Sequence, residues 1–364
     1  MTARRIDAAL AAQLVDALEY VLLDIDGVIW SGSTVLPGIP ETLRQLRAKG
    51  KRLRFLTNNA SWSREQIVAT FAARGMPEVR PEEVYNSGYA AALRLQQLLG
   101  TAAAPGEPPL VRGNVLVVGE QGLHDELRRV LAPGFITYGV ELHSPEACGG
   151  YDLHEVATAW RAATLPPPRQ PLVLCDGNTC RRVVADPAAA DPAANKISLA
   201  DLSPVAVVAG LDLHYNMLSM AYASLALQGP PAGAGRRALF IACNEDPQIP
   251  AGPDKLLVPG AGGMISSLAT VSGVAPAAVC GKPNTDLARI LFAAEGVTDP
   301  RRQCMMVGDR LTTDIAFGNG ADCQTMFVLS GAETMDDVAR AAAAGQTALL
   351  PTYVADSLAD LMLS

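Results

Sequence analysis

The sequence predicts an α/β protein: a doubly wound parallel-sheet core interrupted by an inserted α/β domain that serves as a cap. Three observations lead there. Branched apolar runs alternate with helical patterns through the first hundred residues, the alternation resumes near residue 263, and several apolar runs end in carboxylates, amides or a lysine. Strand–helix alternation implies a parallel sheet with helices on its faces. At 364 residues the chain is too long for one compact core. The expected division is a core from 1–103 and 263–364, built from both ends of the chain, with the cap at 104–262.

The elements follow in order. Ile6, Leu10, Leu14 and Leu18 recur every four residues, the signature of an amphipathic helix packed on the body. Asp7, Asp16 and Glu19 are out of character for a transit peptide in this stretch. "YVLLDID" reads as a strand, "GIPETLRQLRAKG" as a helix, "RLRFLTNN" as a strand and "SREQIVATFAARG" as a helix. Ser63 and Gln66 form a capping-box pattern, and Gly50 and Gly75 stand where helices close in a left-handed turn. "LGTAAAPGEPP" at 99–109 reads as a linker. "NVLVVG", "GLHDELRRVL", "PVAVVAG" and "RALFIACN" supply the strands and a helix of the cap. "TLPPPRQ" and "VVADPAAADPAANK" read as Pro/Ala-rich surface insertions. After 263 come a helix ("MISSLATVSGV"), a short strand ("AAVCGKP"), a helix from Pro283 through "NTDLARILFAAEG", a strand ("QCMMVGD"), a helix ("TDIAFGNGA") and a last strand ("QTMFVLSG") before C-terminal helices.

Composition narrows the function. A net charge of −8 and a pI near 5.1 argue against a nucleic-acid surface, which needs a basic patch. No apolar run reaches the roughly 18 residues of a membrane span. The seven cysteines show neither a C-x-x-C pair nor zinc spacing, so a reducing compartment, the cytoplasm, is expected. The four histidines are scattered, and each reads as structural.

The chemistry sits at the strand ends. In "YVLLDIDGVIW" Asp24 and Asp26 are two apart, so on a persisting strand both carboxylates share a face at its carboxyl end, where open α/β sheets bind ligands. Taken alone this is a polar strand end entering a turn at Gly27. A second strand ends in Thr57, Asn58 and Asn59, neutral donors suited to a phosphoryl group, though Asn and Ser are also natural caps. Lys282 precedes Pro283, which biases it away from helix. "MMVGDRLTTDI" places Asp309 after a strand and Asp314 five residues on. Together these carboxylates repel strongly, since two unit charges 4 Å apart interact by about 4 kcal/mol at an effective dielectric near 20. Such a group calls for a cation, and oxygen-only ligands suit a hard one, Mg²⁺ by default. Asp24 is ionised at neutral pH and can attack phosphorus directly, while Asp26 can serve as acid and then base.

"DIDGVIW", "TNN", "GKPN" and "GDRLTTD", in that order, closely resemble the four motifs of the haloacid dehalogenase (HAD) superfamily phosphatases, whose core is a Rossmann-like doubly wound sheet. "LVVGEQGL", "VVAGLDLHYN" and "CNEDPQIPAGPDKLLVPGAGGM" resemble the C2-type cap of the 4-nitrophenylphosphatase, phosphoglycolate phosphatase and pyridoxal phosphatase (chronophin) group. The resemblance covers nearly the whole chain except about 161–200. It implies Asp24 as nucleophile and Asp26 as acid/base. Mg²⁺ would be held by Asp24, the backbone carbonyl of Asp26 and Asp309, with Asp314 behind them. Thr57, Asn58, Asn59 and Lys282 would hold the phosphate, and the stretch from Gly27 would form a small flap. Asn244, Glu245 and Asp246 are candidates for leaving-group contacts, and His214 lies near where such caps self-associate into homodimers. Cys243 stands where relatives commonly carry Thr.

The activity implied is Mg²⁺-dependent phosphomonoester hydrolysis of a small phosphorylated metabolite such as 2-phosphoglycolate. Pyridoxal 5′-phosphate or a phosphoprotein is the alternative. A nucleotide-dependent oxidoreductase fits poorly, because "NVLVVGEQGLHDEL" lacks the G-x-G-x-x-G spacing. A catalytically silent binding protein has no use for Asp24, Asp26, Lys282 and Asp309 together.

Overall fold

The computed structural model describes residues 3–100, 113–131, 137–143, 172–175, 182–185, 204–229, 237–251 and 256–362. The expected linker at 99–109 and the stretch at 161–200 lie almost wholly outside them; within the latter, Leu172–Cys175 and Arg182–Ala185 pair antiparallel.

The core sheet has seven parallel strands in the order Arg4–Arg5, Tyr353–Ala355, Gln324–Val328, Cys304–Gly308, Tyr20–Leu23, Arg52–Thr57 and Val84–Asn86. Tyr20–Leu23 is buried on both faces, as a central parallel strand should be. Val21 and Leu23 join an apolar cluster with Leu10, Leu14, Leu43 and Phe71, while Tyr20 and Leu22 face the opposite cluster with Leu95, Leu291 and Phe317. "QTMFVLSG" is not the last strand as expected: Tyr353–Ala355 follows and pairs with it, and the N-terminal Arg4–Arg5, for which no strand was expected, pairs with Tyr353–Ala355.

The expected helix ends hold. Ile6, Leu10, Leu14 and Leu18 are all buried, and Asp7 caps Ala8–Ala17 by accepting from Leu10 N at 2.8 Å. Ser63 and Gln66 bond reciprocally at the start of Arg64–Ala73. Gly50 and Gly75 take positive φ just past their helices.

A second sheet, also parallel, runs Ala278–Val279, Leu239–Ala242, Pro204–Ala209, Asn114–Val118 and Thr137–Tyr138. This corrects the expected return to the core at 263. Ile241 and Ala242 pair with Ala278 and Val279, and Ile265 and Leu268 of the Ala261–Ser272 helix pack in the second sheet's cluster with Leu116, Val207 and Phe240. The second sheet therefore runs to Val279. Both sheets use the same strand–helix period, so periodicity alone does not say which one an element joins.

Two helix starts also differ. The helix expected from Pro283 begins at Asp286, because Asn284 Oδ1 accepts from Asp286 N at 2.8 Å and holds a turn ahead of it; the Lys282–Pro283 peptide is cis. "TDIAFGNGA" opens with a π-turn at Leu311–Ile315 before its α-helix at Ala316–Gly320.

Core and cap share one apolar cluster, in which Leu22, Leu56 and Ala60 meet Val117, Leu123, Leu127, Val208 and Ile241. A polar clamp reinforces it: the fully buried Glu126 accepts from Arg64 N at 2.6 Å and from Arg64 Nε at 3.0 Å. Among the described residues no helix is long and apolar enough to cross a membrane.

Candidate active site

Three neighbouring strands end side by side. Asp24 follows Tyr20–Leu23, Asp309 follows Cys304–Gly308, and Thr57 closes Arg52–Thr57. Adjacent strands lie about 4.8 Å apart, so side chains at their ends meet without further design. They meet under the cap in a cavity of about 310 Å³ whose lining includes Asp24, Asp26, Thr57, Asn58, Asn59, Asn244, Asp246, Lys282, Asp309 and Asp314. Every catalytic, metal-binding or substrate-binding candidate except Glu245 thus lines one cavity; Glu245 is exposed and outside the lining.

The route of the two aspartates differs from expectation. The strand stops at Leu23, so Asp24 and Asp26 do not share a face by pleating. A tight turn does the work instead: Gly27 N donates to Trp30 O at 2.7 Å, and the Asp26 carboxylate accepts from Trp30 Nε1 at 2.9 Å. Gly27 has φ +90°, and a Cβ there would strike the Asp309 carboxylate. Gly331 approaches Asp309 as closely from the other side, and the Asp309 carboxylate accepts from Ala332 N at 2.6 Å.

Lys282 is the electrostatic centre. Its buried ammonium donates to Asp24 Oδ1 and Asp314 Oδ1, each at 2.6 Å, and to Leu56 O at 3.1 Å. The two carboxylates hold its pKa above the ordinary lysine value in spite of burial. Burial drives Asp24 well above the carboxylate range; Lys282 opposes this, and Asp314 and Asp309 add repulsion. Asp309 is pushed up to about 7, chiefly by burial and by Asp314. Asp26 opens to the cavity, yet the protein crowded around it raises its pKa, with the Trp30 N–H opposing.

This donor set fits Mg²⁺. The carboxylates of Asp24, Asp309 and Asp314 converge with oxygens within 4.8 Å of one another, and against them stands one ammonium, leaving two negative charges in a buried place. Hard oxygen ligands and a deficit of two charges match a hard divalent cation. Asp314, expected behind the ligands, lies in the cluster itself, with Lys282 and Arg310 N on its two oxygens.

The amides act as braces. Asn58 Nδ2 donates to both Asp246 oxygens at 3.1 Å and to Lys282 O at 3.0 Å, and its Oδ1 accepts from Lys282 N at 2.8 Å. Asn244 Nδ2 donates to Asn58 O at 2.7 Å, and Asn59 Oδ1 accepts from Ser61 N at 2.8 Å. One side chain thereby joins the core loop, the lysine loop and the cap loop. Thr57 Oγ1 accepts from Asn59 N at 3.1 Å. Cys243 lies outside the cavity lining, buried in the shared apolar cluster, where burial raises its thiol pKa well above normal. His214 lies away from the cavity, beside Glu120 in the cap. Among the lining residues that the sequence reading passed over are Arg310, Gly331 and Ala332; these three sit within or just after a quoted strand end, so position alone was the available signal.

Comparison with known proteins agrees with this geometry. Residues 21–131 match the haloacid dehalogenase-like hydrolase family, and residues 279–361 match the HAD-hydrolase-like family. Human (Homo sapiens) chronophin is 30% identical over 357 residues, covering 98% of this chain and 96% of that protein. The chain belongs to the haloacid dehalogenase-like hydrolases. It is an enzyme of their phosphatase branch, with the expected doubly wound core. Chloroplastic phosphoglycolate phosphatase 1A of Arabidopsis thaliana is 33% identical over 321 residues, covering 88% of this chain and 71% of that protein. Among solved structures, a glycerol phosphate phosphatase from Mycobacterium tuberculosis in complex with magnesium superposes with a TM-score of 0.64 at 26% identity, covering 96% of this chain and 78% of that one. A 4-nitrophenylphosphatase from Thermotoga maritima shares the fold with a TM-score of 0.64 at 22% identity, covering 96% and 97%.

Proposed function

We propose that this phosphatase hydrolyses small phosphomonoesters with Mg²⁺ and through an aspartyl-phosphate on Asp24. The observation that carries the reading is the buried Asp24 carboxylate, 2.6 Å from Lys282 Nζ and grouped with Asp309 and Asp314 at the floor of the cavity. Asp24, Asp309 and the Asp26 backbone carbonyl would hold Mg²⁺, which supplies charge neutralisation on the phosphoryl oxygens. An Asp24 oxygen attacks phosphorus, and Lys282 and Thr57 hold the equatorial oxygens. Asp26, which opens to the cavity and whose pKa burial shifts upward, protonates the departing alkoxide as the bond to phosphorus breaks. Asp26 then takes a proton from water, which attacks phosphorus, releases inorganic phosphate and restores the Asp24 carboxylate. Asn58 contributes by position, locking the Lys282 and Asp246 loops together.

The cavity favours a small metabolite over a phosphoprotein. About 310 Å³ lies at the lower end of ligand sites. Among the described residues lining it none is aromatic, which disfavours a stacked pyridoxal ring, while Arg310 offers a cation to a substrate carboxylate. 2-Phosphoglycolate carries both groups. The proposal includes a cytoplasmic setting, with which the buried thiols of Cys243, Cys280, Cys304 and Cys323 are consistent. It also includes a homodimer through the cap, where Leu213 and Met217 are exposed; sedimentation would give its mass.

The test is phosphate release from 4-nitrophenyl phosphate, 2-phosphoglycolate, pyridoxal phosphate, sugar phosphates and a phosphopeptide, with Mg²⁺, with EDTA and with Asp24→Asn. Turnover that needs the metal and disappears in the variant supports the mechanism, and the ranking of substrates decides the class. Undiminished turnover in Asp24→Asn would overturn the intermediate.

A further inference from the structure

Outside the hydrolytic cavity, the cap gathers a group of side chains that the phosphatase chemistry does not use. We propose that His143, Asp212 and His214 form a second cation site, for a divalent ion of the zinc class. One ligand atom from each lies within 4.8 Å of the others. His143 Nε2 is 3.2 Å from Asp212 Oδ2, and the two imidazoles stack with centroids 4.9 Å apart and planes at 18°.

The distances have a specific meaning. With zinc–nitrogen and zinc–oxygen bonds of about 2.0–2.1 Å, the edge of a tetrahedral site is about 3.3 Å. The 3.2 Å between His143 and Asp212 matches that edge. The loop is built around it: Asp212 is buried, its Oδ1 accepts from His214 N at 2.8 Å, and its backbone carbonyl accepts from Tyr215 N at 3.3 Å. One turn therefore presents Oδ2 of Asp212 and the ring of His214 together. The His214 side chain is 53% exposed, so it can swing the remaining distance without disturbing the core.

Charge points the same way. Glu120 Oε1 lies 3.4 Å from His214 Nδ1, so two carboxylates face two imidazoles. His124 interacts electrostatically with both His143 and Asp212, but burial and Arg128 hold its pKa down to about 3, and neither ring nitrogen has a hydrogen-bond partner. It stays neutral and supplies no countercharge. A divalent ion brings two carboxylates and two neutral imidazoles to neutrality. Two imidazole nitrogens select the zinc class over Mg²⁺, which prefers oxygen. The ion would pin Val140–His143 to the loop after Pro204–Ala209 and so stiffen the cap.

The experiment is calorimetric titration of Zn²⁺ into the full chain, stripped with chelator and then held in excess Mg²⁺. Wild type and Asp309→Asn, which weakens the hydrolytic centre, are expected to bind one Zn²⁺ each. His143→Ala and His214→Ala are expected to lose more than about tenfold in affinity, while Mg²⁺-dependent phosphate release by His214→Ala stays at the wild-type rate. Because His214 is exposed, its variant retains the fold, and Zn²⁺ should raise the melting temperature of wild type but not of His214→Ala. Unchanged Zn²⁺ binding in the His143→Ala/His214→Ala double variant, loss of binding in Asp309→Asn alone, or no uptake by wild type in Mg²⁺ would each overturn the proposal.

Discussion

Lys282→Met tests the electrostatic logic of the active site most directly. Methionine fills nearly the same volume but removes the ammonium that lies 2.6 Å from both Asp24 and Asp314. At an effective dielectric near 20, a contact at that distance is worth about 6 kcal/mol of Coulomb energy, and burying the ammonium takes several kcal/mol back. The expected net loss is about 3–5 kcal/mol, the usual consequence of stranding a buried charge. Urea unfolding at pH 8 in EDTA measures it. Protonating the stranded carboxylates relieves the strain, so the deficit should shrink at pH 5. Adding Asp314→Asn should restore part of the loss, because one stranded charge is removed with the lysine. Phosphate release should fall by roughly 100-fold or more, in line with the loss of a charge-stabilising donor. A variant within about 0.5 kcal/mol of wild type at pH 8 would refute the reasoning.

Other expectations follow from the same contacts. Asp309 binds its proton more tightly when folded, at about 7 against 3.8. Between those values the native state carries the extra proton, so this group's contribution to metal-free stability falls as pH rises, by up to about 1.4 kcal/mol per unit; Mg²⁺ should therefore raise the melting temperature more at pH 8 than at pH 6, and equal increments would refute this. Asn58→Ala should cost about 1–3 kcal/mol and lower kcat more than it raises KM, because it unlocks the Lys282 loop, as steady-state kinetics will show. Gly27→Ala combines a strained φ of +90° with a collision at Asp309, so Mg²⁺ affinity should drop more than tenfold on calorimetric titration. Glu126→Gln leaves Arg64 without its buried partner, and thermal unfolding should register a loss of about 3 kcal/mol, the low end for a broken buried pair.

What the sequence disclosed depended on whether an interaction is local. The central strand, the capping box at Ser63 and the amphipathic helix after Asp7 each rest on residues close together, and each is found where expected. The four chemical motifs were readable because every one falls at the carboxyl end of a strand. Register between distant elements left no such trace: nothing in "AAVCGKP" distinguishes a cap strand from a core strand, and only pairing with Ile241 and Ala242 decides it. The double role of Asn58 was equally hidden, since Asp246 is 188 residues away and Lys282 is 224. The Glu126 clamp and the His143–Asp212 pair depend on the same long-range proximity.

The assembly of the core from both ends of the chain also governs when activity can first exist. Lys282 and Asp24 are 258 residues apart, and Tyr20–Leu23, which pairs early with Arg52–Thr57, obtains its second neighbour only once Cys304–Gly308 has been synthesised. During translation this fully buried central strand waits with one edge unsatisfied while the intervening residues are made. Such late closure over long sequence separations is slow and leaves the nascent chain prone to aggregation. It also means that a chain cut short before Asp309 carries Asp24 without the Asp309 and Asp314 carboxylates that complete the cluster, so the cavity is unfinished until nearly the end of synthesis.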